Sequence, residues 1–226
     1  MIKKRKLPLV LCVAILLHSC ISKKYINTST SPTEISSLDY FEPYAYIHLI
    51  EKGNKPRLND SLSMVSTKRI DSVLISQNKK FRIKNKIVVS SKKIEQIVEN
   101  EFNFLIQSVV KKRKLANIPL TPTIDSILEA RNQRFALGII GTGFGRKKGN
   151  YGGQVAKGVA VGVLTLGLFA PIPIKSNLTL YAIIVDSQKN EVTFYNNTNP
   201  IEKPPTDPVN IEKQLYKLFD SYLFLK

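Results

Sequence analysis

Ten of the eleven glycines in this 226-residue chain lie between Gly138 and Gly167; the other is Gly53. Glycine inside a regular element costs roughly 0.5–1 kcal/mol relative to alanine, so such density points to close backbone approach. The stretch has two parts. Gly138-Ile-Ile-Gly-Thr-Gly-Phe-Gly145 leads into Arg146-Lys-Lys-Gly-Asn-Tyr-Gly-Gly153, and Gly158 to Ile174 then runs without a charge. Gly141, Gly143 and Gly145 do not make a dinucleotide fingerprint, because Arg146 stands where the third glycine is required. No Gly-Lys-Ser/Thr follows either, so no phosphate loop is present. Gly149 and Gly153, and again Gly158 and Gly162, stand four apart, a spacing that lets helices approach closely. These four are the candidate interface residues. Pro171 and Pro173 interrupt the apolar run, and its helical part is too short to cross roughly 30 Å of hydrocarbon. The expectation is a Gly-rich connection tucked against its own sheet, with an oligomer interface or membrane insertion as the competing reading.

The N-terminus carries a second strong signal. Met1-Ile-Lys-Lys-Arg-Lys6 is basic, Leu7 to Leu17 is apolar, and Leu17-His18-Ser19-Cys20 closes the segment. That order reads as a secretory signal. Its end resembles the lipobox of bacterial lipoproteins, which implies cleavage between Ser19 and Cys20 and acylation of Cys20. The segments expected are a signal peptide over 1–19, a lipidated cysteine and flexible tether over 20–40, and one domain over 41–226 containing the Gly-rich segment 138–174. Ile21 rather than aspartate follows the cysteine, and no acidic run follows it. By the same resemblance the expected address is the outer membrane, lipid-anchored, on its periplasmic face.

The formal net charge is +17. In an exported chain this basicity, including Lys111-Lys-Arg-Lys114, suits anionic headgroups or cell-wall polymers rather than nucleic acid. Cysteine and histidine usage removes much enzyme chemistry. The chain has two cysteines, Cys12 within the signal and Cys20 at its end, and two histidines, His18 and His48. No disulfide, CxxC pair or Cys/His zinc set can be built after processing. His48 falls on a strand face with Tyr44, Tyr46 and Ile50, where a structural role is expected. Asp186 and Glu191 bracket a hairpin tip, a poor place for a catalytic pair. No catalytic residue, metal or cofactor is therefore assigned, and the expected function is non-enzymatic.

Patterning supplies the elements. Strands are expected at 44–51, 80–89, 135–140, 178–185 and 191–195. Helices are expected from Asp60 to about Ser76, after Ser91, after Thr121-Pro122, and from Asp207-Pro208 through Leu223. Glu101 is the one polar residue on the apolar face of the second of these helices. The strand 178–185 is apolar on both faces and should be central. The fold class expected is α+β, a small mixed sheet with packed helices and a Gly-rich connection before a C-terminal hairpin and helix.

That order, with Leu180-Tyr-Ala-Ile-Ile-Val-Asp186 and Glu191-Val-Thr-Phe-Tyr195 before the last helix, resembles the periplasmic α/β domain of outer-membrane lipoproteins. The curli-secretion and penicillin-binding-protein-activator lipoproteins are the examples, and the composition resembles that of Bacteroidota proteins. The resemblance implies a periplasmic binding or accessory module whose partner is an envelope protein or cell-wall polymer. Its alternative is a membrane-inserting oligomeric export component like the curli-secretion lipoprotein.

Overall fold

The computed structural model describes residues 25–27, 30–165, 173–220 and 222–224. Signal cleavage and Cys20 lie outside them. The fold is α+β: a mixed sheet with helices on both faces.

The sheet is built around one long strand, β6 (Phe135–Arg146). On one side it pairs antiparallel with β7 (Asn177–Asp186), which pairs with β8 (Glu191–Asn197), which pairs with β1 (Tyr25–Asn27) at the edge. On the other side, two successive strands share its length. β2 (Leu38–Phe41) runs parallel to the first half of β6, opposite Ala136 and Leu137. β3 (Tyr44–Ile50) runs parallel to its second half, from Ile140 to Arg146. Glu42-Pro43 separates the two, as expected where proline cannot donate to a ladder. β5 (Ile83–Ile87) extends the sheet beyond β2, and β4 (Pro56–Leu58) beyond β3.

One face is covered by α1 (Asp60–Ser76), the short α2 (Asn78–Phe81) and α6 (Pro208–Phe219), the other by α3 (Lys92–Lys112) and α4 (Pro122–Ala130). β7 shows why both layers are needed. Leu178, Leu180, Ala182 and Ile184 face the α1/α6 core, and Ile183 and Val185 face the α3/α4 core. Burying such a strand on both faces demands a layer on each. The α1/α6 core is closed by an aromatic group in which Phe81 lies 5.3 Å from Tyr216 and 5.7 Å from Phe219.

Three expectations are corrected. Within the tether expected over 20–40, residues 25–27 and 30–40 belong to the fold. β1 adds to the edge of β8, Ile35 and Leu38 are fully buried, and Ser31 and Glu34 form a reciprocal capping box. Arg82 fastens this stretch by donating to the carbonyls of Pro32 and Ile35 while reaching Leu223 at the other end of the chain. Strand addition at an edge is carried by backbone groups, so polar composition does not reveal it. Second, the strand expected at 80–89 is shorter, because Phe81 ends α2 and Arg82 turns through a left-handed conformation before β5. Third, β6 continues six residues past Ile140, through Gly141, Gly143 and Gly145.

Those glycines answer a packing demand. A Cβ at Gly138 would run into the buried Phe102 ring. At Gly143 it would run into the carbonyl oxygen of Asn177 and crowd Leu178 Cα at 3.1 Å. The first part of the Gly-rich segment is thus the sheet's axis, and its later part, through Asn150–Leu164, leads on to the β7–β8 hairpin.

Four phenols respond to burial in this frame. Tyr46 is pushed up to about 12 by burial and by its hydrogen bond to Glu99, and Tyr195 to about 12 by burial. Tyr40 and Tyr44 are raised in the same direction, again chiefly by burial. A phenol raised in the fold leaves stability intact below its unfolded value near 10 and loses it as pH climbs toward the folded value. Above neutral pH, thermal melting followed by circular dichroism should therefore stay level to about pH 9 and fall steeply from about pH 10 to 12. A transition complete below pH 10 would contradict this.

Candidate functional surface

The C-terminal end of β6 collects the features that a function can use. β6 leaves the sheet at Arg146, and after a turn with Gly149 in a left-handed conformation (φ 88°) it enters α5 (Asn150–Leu164). β3 ends at the same level, since Ile50 pairs with Arg146, and β7 starts there, since Asn177 pairs with Phe144.

Arg146 ties these pieces together. Its guanidinium donates to the carbonyl of Ile174 at 2.8 Å, to the carbonyl of Gly53 at 3.0 Å, and to the side-chain oxygens of Asn150 and Asn54, each at 2.9 Å. A planar fork with five donors suits four acceptors on three segments, where a lysine would reach fewer. In the sequence Arg146 stands out only as the residue that spoils a nucleotide motif. Its position at the end of a glycine-relieved strand is the signal that could have found it.

α5 is unlike the other long helices. Gly158 and Gly162 lie on its inward side and are buried. Its outward side presents Ala156, Val159, Ala160, Val163 and Leu164, with Val159 60%, Val163 72% and Leu164 83% exposed. No charge interrupts that outward stripe; Lys157 stands at its border. A helix of a water-soluble body normally shows the reverse arrangement. With 15 residues it is about 22 Å long at 1.5 Å per residue, short of roughly 30 Å of hydrocarbon. Among the described residues, no helix is long and apolar enough to cross a membrane. A half-open pocket of about 270 Å³ lies beside α5, lined by Asn54, Arg146, Gln154, Lys157, Gly158, Val161 and Pro173.

The other sequence candidates are placed as follows. Gly158 and Gly162 share the inward side of α5, whereas Gly149 is its N-cap and Gly153 is exposed with open space beyond its Cα. The four do not form one stripe. His48 lies half-buried on β3 opposite Leu58 and Phe144. Glu101 plays a structural part, since its carboxylate accepts from Thr121 Oγ1 at 2.7 Å and from the backbone N–H of Thr123 and Ile124 at 3.1 and 2.9 Å. It caps the N-terminus of α4 from a neighbouring helix, the place where a carboxylate is most useful. Asp186 is fully buried and held by Arg134, while Glu191 pairs with it across the β7–β8 ladder. Among the described residues, no three His, Cys, Asp or Glu side chains converge as a metal site would require.

No protein-family model matches the chain, and no curated protein matches its sequence. Among solved structures it is similar to a dodecamer of a PelC point variant from Paraburkholderia phytofirmans. The identity is 8%, the likeness covers 88% of this chain and 94% of that one, and the TM-score is 0.38. A likeness this loose assigns neither a family nor a role.

Proposed function

We propose that the chain is a non-enzymatic, lipid-anchored protein of the bacterial envelope, held at the outer membrane through Cys20. Its folded body acts as a binding or accessory module. The observation that carries this reading is the charge-free outward face of α5, an exposed apolar surface on a chain that opens with an export signal and a lipobox-like Leu17-His18-Ser19-Cys20. Exposed apolar surface of this kind marks interaction rather than catalysis. The engagement of Glu101 in helix capping and of Asp186 in an ion pair supports the non-enzymatic part, because both carboxylates are committed to holding the fold.

The test is the fate of Cys20. Expressed with its own N-terminus in a bacterial host, the protein should partition into the detergent phase and carry diacylglycerol and acyl mass at Cys20. Cys20→Ser should carry none of that mass, because serine offers no thiol for the thioether. An unmodified Cys20 in wild-type protein would end this reading.

A further inference from the structure

We infer that the outward face of α5 lies in the headgroup region of the same anionic bilayer that holds Cys20, so that the protein rests on the membrane through two contacts. This rests on the anchoring reading above.

Strand register gives the direction of the anchor. Tyr25 pairs with Asn196, Asn196 with Ala182, and Ala182 with Ile139. β1 is antiparallel to β8, β8 to β7, and β7 to β6, so β1 runs opposite to β6. The N-terminal end of β1 therefore faces the Arg146 end of β6, where α5 begins. The five steps between Cys20 and Tyr25 reach at most about 18 Å, at roughly 3.6 Å per residue. Counted from the level of Ile139, that reach extends to about the level of Phe144, so an anchor at Cys20 is compatible with a bilayer at the α5 end.

Charge at that end matches an anionic surface. Lys52 and Lys55 in the β3–β4 turn, Lys147 and Lys148 before α5, Lys157 on α5 and Lys175 before β7 are all exposed. Two carboxylates stand among them: Glu51, 4.0 Å from Lys147, and exposed Glu202, which accepts from the backbone N–H of Lys175 at 2.9 Å. Basic side chains bordering an uncharged apolar stripe are the pattern of a helix lying in a membrane interface, with its apolar side in the headgroup and acyl boundary. Leu164, at the end of the stripe, and Ile174, at the return to the sheet, are exposed at the same end.

The chain contains no tryptophan, so a single introduced one reports alone. Full-length lipidated Val163→Trp, and Val159→Trp as its duplicate, would be reconstituted into vesicles of phosphatidylethanolamine and phosphatidylglycerol. Gln188→Trp at the exposed hairpin tip of the opposite end is the comparator. The expected result is emission shifted to shorter wavelength at 163 and 159, with severalfold stronger quenching by brominated acyl chains than at 188. That difference should shrink when phosphatidylcholine replaces phosphatidylglycerol. If Cys20 carries its lipid by mass and all three reporters are equally open to aqueous acrylamide, this inference falls and the anchoring reading stands. If the 163 reporter is shielded only as protein concentration rises, without bromolipid quenching, a second copy covers α5 and the inference also falls. If Cys20 carries no lipid and the chain stays off the vesicles, both readings fall together.

Discussion

Arg134→Ala is expected to destabilise the protein by about 3 kcal/mol, lowering its melting temperature by about 10 °C. The reason is the carboxylate left behind. Asp186 is fully buried at the end of β7, and Arg134 grips it in fork geometry, with Nε 3.1 and 3.2 Å from its two oxygens and Nη2 at 2.9 Å. Backbone N–H groups of Gln188 and Lys189 also donate to Asp186, at 3.0 and 3.3 Å, but neither supplies a full charge. Nη2 bonds Glu34 as well, at 3.2 Å, so the same guanidinium fastens the residues before β2 to the hairpin. Arg134→Lys should be intermediate, because an ammonium keeps the charge and loses the fork. Replacing both partners by apolar residues of similar volume should recover much of the loss, since the burial penalty then disappears with the charge. Urea unfolding of the four proteins checks all of this; a double variant no better than Arg134→Ala would show that the pair does more than neutralise itself.

Gly143→Val should be at least as damaging, at about 3–4 kcal/mol. Strand propensity alone predicts the opposite sign, because valine is favoured over glycine in strands by up to about 1 kcal/mol. Sterics decide here. The new Cβ meets the backbone oxygen of Asn177, which cannot rotate away as a side chain would, so β6 and β7 must part where the chain departs for α5. Gly152→Ala makes the contrast: Gly152 is exposed in α5 with nothing within 4 Å of an added Cβ. That variant should gain about 0.5–1 kcal/mol from helix propensity. Equal effects of the two substitutions in a melting experiment would refute the steric assignment.

The same residues mark how far local pattern reaches. Asp186 has the sequence setting of an exposed hairpin-tip acid, and its burial depends on Arg134, fifty-two positions away, which no local pattern connects to it. Gly143 has the setting of a connection, because glycine is a poor strand former; the near approach of Asn177 that requires it exists only once β7 is in place. Glu101 is conspicuous as a carboxylate on an apolar face, yet its use as a cap for α4 is a meeting of two helices.

Local chemistry by itself determined a good deal. The N-caps Ser91 and Asp207, proline at the first turn of α4 and α6, the alternation and apolar runs of β7 and β8, and the periodicity of α6 are short-range signals, and each placed its element. They sufficed for the α+β class. Tertiary structure alone decided the rest: that β6 is the axis of the sheet, that β2 and β3 divide its flank, and that residues 25–27 and 30–40 belong to the body. It also decided that α5 turns its glycines inward and its valines to the outside. The physical reason is common to all four. Sheet pairing and helix docking are made between backbones and faces far apart in the chain, so their energies appear only after the chain has closed on itself.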